Sequence, residues 1–283
     1  MIVITGATGT IGSEVVRQLA ARGVKVRAVT RNPESTQFPD GVEVVRGDYG
    51  DTASMAAAFD GAESAFLVGQ LGPEYVELDK RLAETARDAG VRRLVKLSAI
   101  GTGDPAVGVI STWHVPGEQA VRDSGRAWTI LRPSSFASNT LRWADMVRAG
   151  KPVPNTAGAG AQGVVDPRDV AAVAVEALLS DAHSGQVYTL TGPETLTVRD
   201  QAAILATELG RPVEVADLPL DIARGYMLDS GLSEEFADAS MVAQGFVRDG
   251  GNAVVTGDLE QVLGRAPRTY AEWVRDHASA FTA

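Results

Sequence analysis

The sequence predicts an α/β fold with a doubly wound parallel sheet and a smaller C-terminal α/β lobe. Three observations support this prediction: an apolar run that leads into a glycine-rich turn, a regular alternation of strand-like and helix-like segments, and a change of character after residue 136. Strands that alternate with helices imply a parallel sheet that helices cover on both faces.

The first strand and the turn after it form the most specific motif of the chain. Apolar residues 1–5 lead into a turn with glycines at positions 6, 9 and 12, and a helical pattern follows. Gly6 allows a sharp turn, Gly9 lets phosphates approach the backbone, and Gly12 lets the helix pack against the strand. The pyrophosphate of a dinucleotide binds at the N-terminus of such a helix. We therefore predict a Rossmann-type lobe that binds its cofactor through Gly6, Thr8, Gly9, Thr10, Ile11 and Gly12.

The remaining elements of the first lobe follow from hydrophobic spacing. Strands are predicted at 24–30, 42–45, 64–68, 93–98 and 128–131, and helices at 54–59, 75–89 and 118–123. This nucleotide lobe covers residues 1–136. Segments from roughly 160–195 return to it, with a helix that Asp166 caps and a strand at 186–190. Residues 137–283 form the predicted substrate-binding lobe, over the carboxyl ends of the strands, where ligand crevices lie.

Composition narrows the classes of function. The net charge is −10 and the chain has no cysteine. A negative surface argues against nucleic acid or anionic membrane as a partner, and disulfides and thiolate sites are excluded. Three scattered histidines make a metal site unexpected, and no apolar stretch is long enough for a bilayer. Since the N-terminus begins in a strand, we expect a cytoplasmic monomer or homodimer without nucleic-acid or membrane partners.

The end of the second predicted strand indicates which nucleotide is bound. Proteins that prefer NAD usually carry a carboxylate there for the ribose hydroxyls, but residues 29–33 contain none. Arg31 instead offers a planar cation that suits a 2′-phosphate. We therefore predict NADPH as the cofactor, against the alternative that Arg31 is a solvated loop residue.

Two further segments are expected along the cofactor. Asp48 and Tyr49 follow the third strand and are placed to meet the adenine, although a simple turn explains them as well. Leu67, Val68 and Gly69 end the fourth strand and are expected to line the path from adenosine to nicotinamide, with ordinary strand core as the alternative.

The usual proton donor of carbonyl reductases on this fold is missing. A tyrosine with a lysine four positions later is expected on the helix after the fifth strand, but all five tyrosines lie elsewhere. His114 and Glu118 have the same i, i+4 spacing without recreating that device. The proton then comes from His114, from solvent or from the substrate itself, and His114 has either a catalytic or a structural, substrate-orienting role.

Candidate substrate contacts surround this position. Ser98 ends the fifth strand and is expected to hold a substrate carbonyl or the cofactor amide, unless it is a simple strand-end serine. Aromatic and polar residues downstream are expected to form an apolar cleft with a polar anchor, with core between the lobes as the alternative. These candidates are Trp113, His114, Phe136, Asn139, Trp143 and Tyr226.

Several segments together resemble the NmrA-like branch of the atypical short-chain dehydrogenase/reductase superfamily. They are residues 5–12, 31–33 and 46–48, Trp113-His114 with Glu118, Leu131-Arg132-Pro133 with Phe136 and Asn139, 188–194, and 264–274. The resemblance implies a Rossmann lobe, a smaller second lobe and bound NADP(H), with Pro133 and Phe136 at the cofactor. It covers nearly the whole chain.

Members of that branch divide between two classes of function. Some reduce quinones, triphenylmethane dyes or aromatic polyketides, and others are regulators that bind the dinucleotide without turning it over. The first hypothesis for this chain is an NADPH-dependent reductase of a quinone-like or phenol-bearing aromatic ketone. The alternative is a non-catalytic sensor of the NADP redox state, which the missing tyrosine favours. The aromatic residues favour a substrate cleft, and a pocket beside a cofactor makes the reductase the preferred hypothesis.

Overall fold

Seven parallel strands form the central sheet of the computed structural model, which describes residues 1–282. The strands of the protein are β1 (Ile2–Ile4), β2 (Val26–Thr30), β3 (Glu43–Arg46), β4 (Ser64–Val68), β5 (Arg93–Leu97), β6 (Ala127–Pro133), β7 (Val153–Asn155), β8 (Gln162–Gly163), β9 (Gln186–Leu190), β10 (Thr195–Leu196) and β11 (Val215–Asp217). The helices are α1 (Thr10–Ala21), α2 (Thr52–Phe59), α3 (Val76–Asp88), α4 (Val115–Arg122), α5 (Ala144–Arg148), α6 (Pro167–Leu179), α7 (Val198–Leu209), α8 (Leu220–Asp229), α9 (Glu234–Arg248), α10 (Asp258–Leu263) and α11 (Tyr270–Asp276).

The strand order β3-β2-β1-β4-β5-β6-β9 confirms the predicted doubly wound sheet. The chain runs outward from β1 in one direction through β2 and β3, and then returns to build the other half from β4 onward. Such a reversal opens a crevice at the carboxyl ends of the central strands. The candidate site is therefore expected beside the ends of β1 and β4.

Two apolar layers cover the sheet. On one face, Val15, Val16 and Leu19 of α1 pack with the apolar side of α6. On the other face, α2, α3 and α4 contribute residues such as Phe59 and Leu82. Burial of apolar surface on both faces is the reason that the strands read as continuous apolar runs.

Most boundaries differ from the predicted ones by one to three residues, and the largest differences lie around the site. Helix α4 begins at Val115 instead of residue 118, because Pro116 is well tolerated in a first turn. Short 3-10 helices at Pro105–Val107, Val109–Thr112 and Ala137–Trp143 were not predicted. The segment 160–195 contributes α6 and β9 to the central sheet layer, while α7 and α11 pack in a third apolar cluster with Trp273 at its centre.

One buried carboxylate joins the C-terminal segment to the first lobe. Asp169 on α6 is completely buried and accepts hydrogen bonds from the Arg268 backbone N–H and from Arg265 Nη2, both at 2.6 Å. The Arg268 guanidinium also pairs with it. Because α6 packs directly against α1, this contact connects the tail of the chain to the helix that follows the glycine turn.

We expect Asp169→Ala to lower the free energy of unfolding by about 2–3 kcal/mol, because it leaves a buried N–H and two arginines without their acceptor. Urea unfolding monitored by circular dichroism measures the change. Asp276→Ala is the matched control, since the Asp276 carboxylate is 54% exposed in its pair with Arg168 and its loss costs about 0–1 kcal/mol. Equal losses in the two variants would contradict this account of Asp169.

Candidate active site

Two cavities open at the carboxyl edge of the sheet. The smaller has a volume of about 490 Å³ and lies at the β1–α1 turn and the ends of β2, β3 and β4. The larger has a volume of about 880 Å³ and lies beyond the ends of β5 and β6, under α9 and the loop after it. Consecutive residues of one segment line the two cavities: Gly69 and Gln70 line the smaller one and Leu71 lines the larger one.

The glycine turn fits a pyrophosphate. Gly6 has a φ of 58°, and a Cβ on Gly12 would lie 2.1 Å from the Gly6 carbonyl oxygen, so only glycine lets α1 approach β1 this closely. The first turn of α1 has no side-chain cap and no acidic residue. Its first N–H groups therefore have no partner within the helix and are free for an anion.

The predicted phosphate residues differ in how they reach this cavity. Gly6 and Thr8 line it directly. The Ile11 side chain is buried in the core, and Gly12 lies against the turn, so residues of the first helical turn offer backbone N–H groups and no side-chain contact.

Arg31 lies on the wall of the smaller cavity, as the NADPH prediction requires. Its guanidinium is exposed and forms no ion pair within residues 1–282. Asn32, Ser35 and Thr36 line the wall beside it. A free cation among hydroxyl and amide groups is the environment that a 2′-phosphate needs. The sequence interpretation missed Ser35 and Thr36, although two hydroxyl residues soon after Pro33 were a visible signal.

Asp48, Tyr49, Val68 and Gly69 line the same cavity. The Tyr49 hydroxyl donates to the Val68 carbonyl oxygen at 2.7 Å, and burial raises the pKa of Tyr49 to about 12, so the phenol is neutral. Asp48 accepts a hydrogen bond from the Gly50 N–H at 2.8 Å. This local contact is the one expected if Asp48 serves only to stabilise a turn. Leu67, which was predicted beside the cofactor, is completely buried in the core and does not line the cavity, as its strand-core alternative describes.

The predicted substrate residues are divided between the larger cavity and the protein interior. His114, Asn139 and Trp143 line the cavity. Pro133, which was predicted at the cofactor, also lines this cavity and does not line the smaller one. Trp113 does not, because its ring is 4% exposed and stacks on Phe236 of α9 at a centroid distance of 5.5 Å.

Phe136 and Tyr226 also lie away from the larger cavity. Phe136 packs against the core cluster of the first lobe, which corresponds to the core alternative. Tyr226 is 63% exposed on α8 and does not reach the cavity wall. The structure therefore does not bring Trp113, Phe136 and Tyr226 to a common cleft.

Ser98 belongs to a buried polar network behind the cavity. Its hydroxyl donates to Glu118 Oε1 at 2.6 Å, and Arg132 forms a bidentate pair with the same carboxylate at 2.8 and 2.7 Å. Burial alone would raise the pKa of Glu118, but the hydrogen bonds from Arg132 and Ser98 outweigh it, and the pKa lies below the ordinary value. The Ser98 hydroxyl is thus occupied within the protein, and Ala99 and Ile100 form the cavity wall at this point.

His114 faces a different carboxylate, which the sequence interpretation missed. Its Nδ1 lies 3.7 Å from Asp79 Oδ2, and Asp79 Oδ1 lies 3.1 Å from Lys96 Nζ. Glu118 and His114 therefore do not act as one pair, despite their i, i+4 spacing. Both missed residues had a signal: Lys96 interrupts an apolar strand, and Asp79 stands on the apolar face of α3 with Leu82, Ala83 and Ala86.

An unpartnered hydroxyl also lies on the wall of the larger cavity. Ser134 follows β6, is 5% exposed, and its Oγ has no hydrogen-bond partner. A buried hydroxyl without a partner is costly unless a ligand or water satisfies it. Ser134 is thus a further candidate contact that the sequence interpretation did not identify.

Neither a metal site nor a membrane span is evident in residues 1–282. No group of three His, Cys, Asp or Glu side chains is placed to hold a metal ion there. The helices of this part are too short or too polar to cross a bilayer.

Comparisons with known proteins agree with the geometry of the nucleotide cavity. A sequence model described as NAD(P)H-binding matches residues 6–181. The chain is 42% identical over 283 residues to the (4-alkanoyl-5-oxo-2,5-dihydrofuran-3-yl)methyl phosphate reductase of Streptomyces griseus, covering 99% of each chain. It is 35% identical over 285 residues to the NAD(P)H azoreductase of Xenophilus azovorans, covering 100% of each.

A solved structure extends the similarity to three dimensions. The NADPH-dependent quinone oxidoreductase of Escherichia coli, crystallised with NADPH, superposes with a TM-score of 0.84 at 27% identity, over 99% of this chain and 100% of that one. The triphenylmethane reductase of Citrobacter shares the fold at 24% identity with a TM-score of 0.82, over 99% of each chain.

We expect Arg31→Ala to raise the KM for NADPH by about 10- to 100-fold and to leave the KM for NADH unchanged. The loss of a charge-assisted hydrogen bond of about 1.5–3 kcal/mol gives this factor. Initial rates with each nucleotide measure it. Arg46→Ala is the matched control, because Arg46 ends the neighbouring strand β3 without lining the cavity. Unchanged nucleotide selectivity in Arg31→Ala would refute the assignment.

Proposed function

This chain belongs to the NAD(P)H-binding family and is an NAD(P)H-dependent oxidoreductase, and on that premise we propose that it reduces an electron-poor, conjugated small molecule with NADPH. The proposed acceptors are quinone-like compounds and phenol-bearing aromatic ketones. They bind in the larger cavity, where a hydride from the adjoining nucleotide site can reach them.

The observation that carries the proposal is the larger cavity itself. Its volume of about 880 Å³ lies within the range of small-molecule sites, and Leu71 on its wall directly follows Gly69 and Gln70 of the smaller cavity. Apolar walls from Ile100, Trp143 and Phe246 suit a planar conjugated compound, while Asn139 and Ser134 offer polar anchors. A protein that only reports the state of its nucleotide does not need such a second cavity.

The acceptor class follows from the missing proton donor. No tyrosine lines the larger cavity within the described part of the chain, and loss of a general acid typically slows a reaction by a factor of about 10² to 10⁴. An acceptor whose reduced form is a stabilised anion avoids most of this cost. The named relatives agree in this respect, since a quinone, an azo compound and an acylated furanone are all conjugated acceptors.

The residues of this chain have three tasks in the reaction. A bound NADPH supplies the hydride. The β1–α1 turn and Arg31 hold the phosphates of that nucleotide, the larger cavity orients the acceptor and excludes water, and Ser134 or Asn139 can hydrogen-bond the acceptor oxygen as negative charge develops on it. The proton comes from His114, from solvent or from a phenol of the substrate.

We expect NADPH absorbance to be lost on addition of a naphthoquinone or an ortho-hydroxyaryl ketone, and to be lost much more slowly with an isolated aliphatic ketone.

Ala243→Trp, which places an indole in the larger cavity, is expected to raise the acceptor KM about tenfold or more through exclusion of the substrate. Its affinity for NADPH should remain unchanged.

The matched control is Glu235→Trp, at an exposed position on the same helix α9. Tight NADPH binding without consumption against any conjugated acceptor would reject the reductase and leave the redox sensor as the function.

A further inference from the structure

We propose that Asp79 and Lys96 are positioning residues that hold His114 as the proton donor at the larger cavity. The proposal rests on the reductase function above and deepens it, because it selects one of three proton sources. The contacts among Asp79, Lys96 and His114 lie in the interior and are the same whichever acceptor is reduced.

Asp79 and Lys96 form a buried ion pair between α3 and β5. Their side chains are 1% and 0% exposed, and Asp79 Oδ1 lies 3.1 Å from Lys96 Nζ. Apolar residues of similar volume are often at least as stable as a buried ion pair, so the pair is not explained by stability alone. Its place at the carboxyl edge of the sheet, between the two cavities, suggests a role in the reaction.

The third member of the cluster is His114. Its Nδ1 lies 3.7 Å from Asp79 Oδ2, and neither of these two buried atoms has a hydrogen-bond partner, whereas Asp79 Oδ1 is taken up by Lys96. Buried donors and acceptors are rarely left unpaired, and catalytic hydrogen bonds are often long before substrate binds. A movement of less than 1 Å would turn this contact into a hydrogen bond from Nδ1–H to the carboxylate.

The chain leaves room for the Asp79 carboxylate on both sides. A Cβ on Gly69, at the end of β4, would lie 2.1 Å from Oδ1, and a Cβ on Gly117, in the first turn of α4, would lie 2.2 Å from Oδ2. Any side chain at either position would therefore displace the carboxylate from His114. Two separate elements, the end of β4 and the first turn of α4, are thus shaped around this one group.

The cluster keeps Asp79 ionised. Burial alone would raise the pKa of Asp79, but Lys96 and His114 outweigh burial, and the pKa lies below the ordinary value of an aspartate. The other acidic side chain near this turn, Glu118, is directed to Arg132 and Arg122. Asp79 is therefore the carboxylate that orients the imidazole.

This arrangement sets the direction of proton transfer. With Nδ1 buried against Asp79, the opposite edge of the His114 ring, which carries Nε2, meets the cavity. In the imidazolium form, Nε2–H gives its proton to one acceptor oxygen as the hydride arrives, on the carbonyl carbon of a ketone or on the second carbonyl oxygen of a quinone. The products are the alcohol or hydroquinone, the oxidised nucleotide and neutral His114 with its proton on Nδ1, and Nε2 recovers a proton from solvent.

The first test is the tautomer of neutral His114, read from imidazole ¹⁵N chemical shifts in the full-length protein without nucleotide. The chain has three histidines, and His114→Gln assigns the signal. His277 is an internal reference, because its Nδ1 lies 2.8 Å from the Trp273 carbonyl oxygen and must carry the proton. We expect His114 also to carry its proton on Nδ1 in the wild type.

The key variant is Asp79→Leu/Lys96→Met, which replaces both charges by apolar side chains of similar shape and so leaves no buried unpaired charge. We expect it to lose the Nδ1–H preference, to bind NADPH within about twofold of the wild type, and to reduce a para-hydroxyaryl ketone, whose phenol cannot reach its own carbonyl oxygen, about 10- to 1000-fold more slowly in single turnover. Asp79→Asn/Lys96→Met, whose amide can donate its NH2 to Nδ1, should shift the proton to Nε2 and lower the rate as well, and it also serves if the first variant does not fold.

A wild-type His114 with its proton on Nε2, or a tautomer that survives Asp79→Leu/Lys96→Met, would overturn the proposal. So would an unchanged ketone rate in a variant whose tautomer has changed. If the wild type reduces no acceptor, the reductase function is rejected. The tautomer measurement still tests whether Asp79 orients the His114 ring.

Discussion

The close approach of the first helix to the first strand is the constraint on which the nucleotide lobe depends. Helix α1 can reach this position because Gly12 has no side chain to meet the Gly6 carbonyl oxygen. The approach brings the uncapped helix end to the sheet edge where the strand order reverses. Arg31, Tyr49 and Gly69 then converge there because the neighbouring parallel strands end at the same edge.

The doubly wound sheet and the cavity at the glycine turn could be predicted from the sequence. Both follow from the placement of glycines and from the alternation of strand and helix periods, which are local patterns. The substrate cavity was predicted less well, because its walls come from segments more than 100 residues apart. Trp113 illustrates the limit: its partner Phe236 lies on a helix whose position no local pattern reveals. An aromatic residue near a site is therefore as compatible with core as with cleft.

Buried charges carried information that periodicity alone did not use. Lys96 is completely buried between apolar residues of β5, and Asp79 stands where α3 should be apolar. Each of these charged residues stands where the local pattern calls for an apolar one. Two such departures on elements that pack together indicate a functional or strained site. Glu118 shows the opposite case, because its i, i+4 relation to His114 suggested a partnership, whereas its carboxylate is fully engaged by Arg132, Arg122 and Ser98.

The Asp169 contact has a thermodynamic consequence for the whole chain. Helix α6 holds the C-terminal segment through this carboxylate and packs on α1, whose N-terminus offers the anion site. A dinucleotide binds only when α1 is in place. Its binding free energy therefore adds to the free energy that is needed to open the C-terminal segment. Amide protons around residues 265–274 should exchange more slowly with solvent as nucleotide concentration rises, although they lie outside the nucleotide cavity. Amide exchange in the C-terminal segment thus reports whether nucleotide is bound at the N-terminus of α1.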